Sequence, residues 1–147
     1  MRRGLLLVLT LSALVAACSG GGGIEVDDPW ARTSASSQNN GAVYMVIKGG
    51  DTADRLIEVS VPTSVAAVTQ IHESMMTEDE DGEDMMMMQE VGSIDIPADG
   101  EAVLEPGGFH IMLMQLAEPL EVGNEFTVTL TFETADQVDV TVEIREG

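Results

Sequence analysis

Two histidines are all that this 147-residue chain contains, and each stands among methionines, of which there are ten. His72 lies in Ile71-His72-Glu73-Ser74-Met75-Met76, His110 lies in Phe109-His110-Ile111-Met112-Leu113-Met114, and the run Met85-Met86-Met87-Met88 falls between them. Imidazole with thioether and without thiolate is a donor set that suits Cu(I). A soft d¹⁰ ion takes thioether sulfur, whereas zinc, calcium and magnesium seek thiolate, imidazole or oxygen. On a strand, residues two apart share a face, so His110, Met112 and Met114 project to one side while Ile111 and Leu113 enter the core. Met86 and Met88 share a face for the same reason. Four consecutive methionines cannot all be core, because alternation exposes two of them, and an exposed methionine is open to oxidation. Methionine as adaptable core filling therefore leaves part of that run unexplained.

The elements that must position these residues read as all-β. Short segments rich in Val, Ile, Thr and aromatic residues run over 42–48, 55–59, 65–72, 86–91, 102–104, 109–116, 125–133 and 138–145. Turn signals separate them: Gly49-Gly50-Asp51, Pro97-Ala98-Asp99-Gly100, Pro106-Gly107-Gly108 and Val122-Gly123-Asn124. In Phe126-Thr127-Val128-Thr129-Leu130-Thr131-Phe132 the apolar residues take every second place, and Val138, Val140, Val142 and Ile144 do the same. One face of each strand is core and the other is wet. Such a strand count in one domain predicts a β-sandwich or Greek-key barrel. Thr77–Asp84 carries six carboxylates in eight residues, which predicts a solvated loop without the ligand spacing of a calcium site.

The beginning of the chain is a targeting segment. Arg2 and Arg3 precede the apolar run 5–17, which is short for a membrane span and closes on Val15-Ala16-Ala17-Cys18. Small residues before the chain's one cysteine resemble a bacterial lipobox, with 1–18 removed, Cys18 acylated, 19–23 a Gly-rich linker and 24–147 a single domain. Lipid at Cys18 would hold that domain to a membrane outside the cytoplasm. Without Arg2 and Arg3, four basic residues face twenty-six acidic ones, a net charge of −22. So acidic a surface excludes nucleic acid and adsorption to anionic lipid. No second cysteine exists for a disulfide, and the core alone must hold the fold.

A blue-copper electron carrier needs a cysteine thiolate, and Cys18 is committed to the anchor. Neither a serine or cysteine nucleophile in register with a histidine base nor a cofactor loop is visible, so no enzyme is expected. Copper sequestration for tolerance, and a metal-free structural or adhesive lipoprotein, remain as alternatives.

His72, then Met88, then twenty-one residues, then His110-x-Met112 resembles the pattern of the periplasmic copper-binding PCu(A)C family. Pro29-Trp30-Ala31-Arg32, Asn40-Gly41-Ala42-Val43-Tyr44, Ala53-Asp54-Arg55-Leu56 and Pro106-Gly107-Gly108-Phe109-His110-Ile111-Met112-Leu113 are further marks of it. The likeness covers about residues 26–145. It implies a cupredoxin-like Greek-key β-sandwich, a monomer that binds Cu(I), and delivery to Sco-like proteins and the CuA subunit of cytochrome c oxidase. It also implies His72, Met88, His110 and Met112 as ligands. One departure stands out: fifteen residues rather than ten separate His72 from Met88, and the extra five fall in the acidic segment. That insertion leaves Met86, Met75, Met76 and Met114 as alternates for the methionine position.

Overall fold

The computed structural model describes residues 23–35 and 37–147, so the expectations for the signal segment, Cys18 and most of the linker lie outside the described residues. Ten strands form the fold: β1 (Glu25–Arg32), β2 (Asn40–Lys48), β3 (Asp54–Ser60), β4 (Ala66–Glu78), β5 (Asp84–Glu90), β6 (Ile94–Ile96), β7 (Glu101–Leu104), β8 (Phe109–Leu116), β9 (Glu125–Phe132) and β10 (Val138–Arg145). Their order is β5-β4-β8-β7-β2-β1-β10-β9-β3-β6, with β8 also paired to β2. All pairings are antiparallel except β1 with β10 and the short contact of β7 with β8.

The ribbon doubles over on itself around one core. Val43, Met45 and Ile47 of β2, Ile71 of β4, and Ile111 and Leu113 of β8 pack with Leu56 and Val59 of β3, Ile94 and Ile96 of β6, and Val128 and Leu130 of β9. Each such aliphatic side chain taken fully out of water stabilises the fold by about 1.5–3 kcal/mol before chain entropy is set against it. The alternation that reveals this core also dictates that Tyr44, His72, His110 and Met112 point the other way.

Two strands escape the sequence pattern. β1 contains Asp27-Asp28-Pro29, residues that disfavour strands. It is accommodated by a register shift between Asp27 and Trp30, with Asp28 at φ 43°. β6 has three residues, too few for a periodic signal. A third difference concerns the acidic segment. β4 continues to Glu78 and β5 begins at Asp84, so the predicted loop holds over 79–83 while Thr77, Glu78 and Asp84 belong to the two-stranded arm that it closes. Asp79 builds that turn. Its Oδ1 accepts hydrogen bonds from the N–H groups of Asp81 and Glu83, both 2.9 Å, and Gly82 takes φ +81°. The carboxylate of an Asx turn competes well for backbone donors, which is why so charged a stretch still turns tightly.

Candidate metal centre

β4 and β8 are in a register that sets His72 directly opposite His110 and Gln70 opposite Met112. The two imidazoles, nearly forty residues apart in sequence, thus become cross-strand neighbours with ring centroids 5.7 Å apart. On the other side of β4, Ser74 stands opposite Met88 and His72 opposite Glu90. One sheet face therefore carries, across three strands, Met88, His72, His110 and Met112.

The hydrogen bonds define which nitrogen of each ring is free. Gln70 donates its amide Nε2 to Glu90 at 3.0 Å, which turns its Oε1 toward His72 Nε2 at 2.9 Å. A carbonyl oxygen only accepts, so Nε2 carries the proton and Nδ1 presents a lone pair. That Nδ1 is buried and has no hydrogen-bond partner. His110 has the opposite arrangement: its Nδ1 donates to the Gly108 carbonyl at 3.2 Å, leaving Nε2 bare. His110 is 4 % exposed. Burial above all, and then the neighbouring His110, push the His72 imidazole below its ordinary pKa, while Glu90 opposes them. An imidazole with one nitrogen tied by a hydrogen bond and the other bare is oriented as a metal ligand must be.

Thioethers complete the surroundings. A cavity of about 540 Å³ is lined by Met86, Met88, His110 and Met112, with Tyr44, Ser74 and Arg32 among its other walls. His72 is not on the wall; it lies beside His110 in the sheet face. Met88 and Met112 do not sit side by side. Their partners on β4 are Ser74 and Gln70, four residues apart, and both methionines line the cavity. Met76, opposite Met86, lies on the same face but beyond the cavity, and Met114, opposite Val68, lies one step past Met112. Met75 pairs with Met87 and falls on the opposite face of the sheet from His72. Alternation predicts two exposed residues in the Met85–Met88 run; the structure exposes all four, by 47, 62, 50 and 57 %. β5 is an edge strand lying out along the arm, so neither of its faces has core beneath it.

Among the described residues no three His, Cys, Asp or Glu side chains gather closely enough to hold an ion. The donors that do gather are imidazole and thioether, which favours a soft monovalent ion over a hard divalent one.

Residues without a chemical signature of their own finish the site. Trp30 stacks on Tyr44 with centroids 4.7 Å apart, Tyr44 stands 6.3 Å from the His110 ring, and the Arg32 guanidinium lies 5.8 Å over Tyr44. This aromatic stack, capped by a cation, walls the cavity from the β1–β2 side. Spacing arguments assign it no role. Its one signal is that Trp30, Arg32 and Tyr44 fall within family motifs. Gln70, which orients His72, carries no signal at all.

The family model described as "Putative lipoprotein LpqE-like" matches residues 24–144. The "Putative lipoprotein Lxx21020" of Leifsonia xyli subsp. xyli (strain CTCB07) is 33 % identical over 124 residues, which are 84 % of this chain and 70 % of that protein. Among solved structures, the apo PCuAC domain from PmoF1 superposes with a TM-score of 0.69 at 28 % identity, covering 86 % of this chain and 97 % of that one. The solution structure of CuI-DR1885 from Deinococcus radiodurans gives a TM-score of 0.61 at 26 % identity, covering 90 % and 86 %. The chain belongs to the LpqE-like family, and its all-β fold is the cupredoxin-like fold of PCuAC domains.

Proposed function

We propose that this protein is an extracytoplasmic Cu(I) metallochaperone. It holds one ion with His72 Nδ1, His110 Nε2, Met88 and Met112, and passes it to an Sco-like copper protein or to the CuA subunit of cytochrome c oxidase. The observation that carries the reading is the pair of bare imidazole nitrogens, each fixed by a hydrogen bond at the other nitrogen of its ring, beside a cavity walled by thioethers. A related fold is known in Cu(I)-bound form from Deinococcus radiodurans.

The chemistry suits a carrier. Four neutral donors leave the cargo its single positive charge, and thioethers, unlike a cysteine pair, form no disulfide in an oxidising compartment. Met88 is more than half exposed, so an incoming ligand from a partner can displace it before the buried His110 imidazole. Nothing in this arrangement calls for a reaction beyond ligand exchange. A purely structural use of the methionines is disfavoured, because those on β5 cover no core.

Anaerobic titration of the full chain with Cu(I) against a chromophoric competing chelator tests the reading. We expect a tight, histidine-dependent equivalent that His110→Ala and Met88→Ala each weaken while circular dichroism stays native. Wild-type binding that neither substitution alters would remove the reading, and so would an absence of binding above the chelator.

A further inference from the structure

The arm formed by β4 and β5 has two faces, and the cavity uses only one. Met86 and Met88 line the cavity, with Met76 beyond them on the same side. On the reverse, Met75 stands directly opposite Met87, and Met85 follows opposite Thr77. We propose that this reverse face is a second soft-metal site, where Met75, Met85 and Met87 together hold one Cu(I) ion by thioether sulfur alone.

Directly opposed residues on paired strands have Cβ atoms about 4.5–5.5 Å apart, and diagonal neighbours about 7–8 Å. Methionine adds three rotatable bonds beyond that, so three sulfurs starting from such positions can converge on one ion. Neither alternative use of these side chains fits. Met85 and Met87 are about half exposed on an edge strand and lie outside the core cluster. Edge strands are ordinarily blunted by charge, yet β5 reads Asp84-Met85-Met86-Met87-Met88-Gln89-Glu90 and keeps its charges to its ends. Exposed methionine is also readily oxidised to its sulfoxide. The arm ends in Asp79, Glu80, Asp81 and Glu83, whose field raises the local concentration of cations without offering soft donors. Glu73 and Gln89 bound the thioether group at its other end. This site shares no residue with the histidine site and does not depend on it.

The probe is Ag(I), a redox-inert soft d¹⁰ ion, titrated into full-length protein in detergent carrying ¹³C-methyl methionine, with stoichiometry read by native mass spectrometry. The wild type should take a second equivalent that shifts the Met75, Met85 and Met87 methyl signals. His72→Ala/His110→Ala should lose the first equivalent and keep the second. Met75→Leu/Met85→Leu/Met87→Leu, which preserves shape and hydrophobicity, should do the reverse. A wild type that takes no second equivalent overturns the proposal. So does a second equivalent that survives the triple substitution and shifts Met76 and Met86 instead. Failure of the histidine site would appear separately, as loss of the equivalent that His72→Ala/His110→Ala removes.

Discussion

A histidine binds metal more tightly once its tautomer and orientation are set, and Gln70 does this for His72. Its amide is held by Glu90, and its oxygen holds the ring proton on Nε2. Partners that orient metal-binding histidines contribute about 10–100-fold to metal affinity. Gln70→Leu should therefore weaken histidine-dependent Cu(I) binding by about that factor while all four proposed ligands remain. The chelator competition described above measures it, and an unchanged affinity would mean that His72 does not bind through Nδ1. His110 needs no side-chain partner, because the Gly108 carbonyl of the β7–β8 turn does the same work.

At the scale of elements, the sheet face that carries the site is only as rigid as the strands behind it. Asp54, at the start of β3, ties that strand to the β9–β10 connection by accepting hydrogen bonds from the N–H groups of Thr134 at 3.0 Å and Ala135 at 2.8 Å. Burial alone would push its carboxyl pKa up, but those bonds and one from the Arg55 N–H outweigh it and hold the pKa below the ordinary value. The unfolded chain therefore takes up the proton first as pH falls. Stability from Asp54 is complete above about pH 3.9 and fades below it, down through the lowered folded value. Asp54→Asn should flatten that part of the stability–pH curve in urea melts; an unchanged slope would show the bonds contribute nothing. Gly49, after β2, has no room for a side chain, since a Cβ there would run into the Pro97 carbonyl oxygen. Backbone cannot step aside as a side chain can. Gly49→Ala should destabilise by about 1–3 kcal/mol, the usual range for overpacking, measurable as a lower urea midpoint. Gly41→Ala, which meets only the end of the Leu120 side chain, should be milder.

For the whole molecule, the acidic charge and the cysteine count matter more than any single contact. One cysteine cannot form an internal disulfide, so the single buried cluster spanning both halves of the ribbon holds the fold. We propose that the same cysteine carries the lipid anchor. Cys18→Ala should move the protein from the membrane fraction to the soluble fraction of fractionated bacterial cells, with copper binding intact. Retention in the membrane fraction would mean that something other than lipid at Cys18 holds it. A tethered acidic domain would meet basic partner surfaces faster at low salt than at high salt.

The sequence by itself determined the fold class and which candidate donors share a face. Period-two alternation is a local property, and it placed His110, Met112, Ile111 and Leu113 on their correct faces because a strand allows no other choice. The types of the donors narrowed the metal for the same kind of reason: softness belongs to the side chain, not to its neighbours. Only the tertiary structure decided which residues meet. The opposition of His72 to His110 depends on the β4–β8 register, fixed by side chains distant in sequence. The parallel pairing of β1 with β10 joins the first and last strands and leaves no local trace. The acidic segment read as a loop because charge suggests solvent, and 79–83 is one; only backbone pairing shows that the flanking strands run on to Glu78 and resume at Asp84. Pairing across that arm is also what divides its methionines between a face that meets the histidines and one that does not.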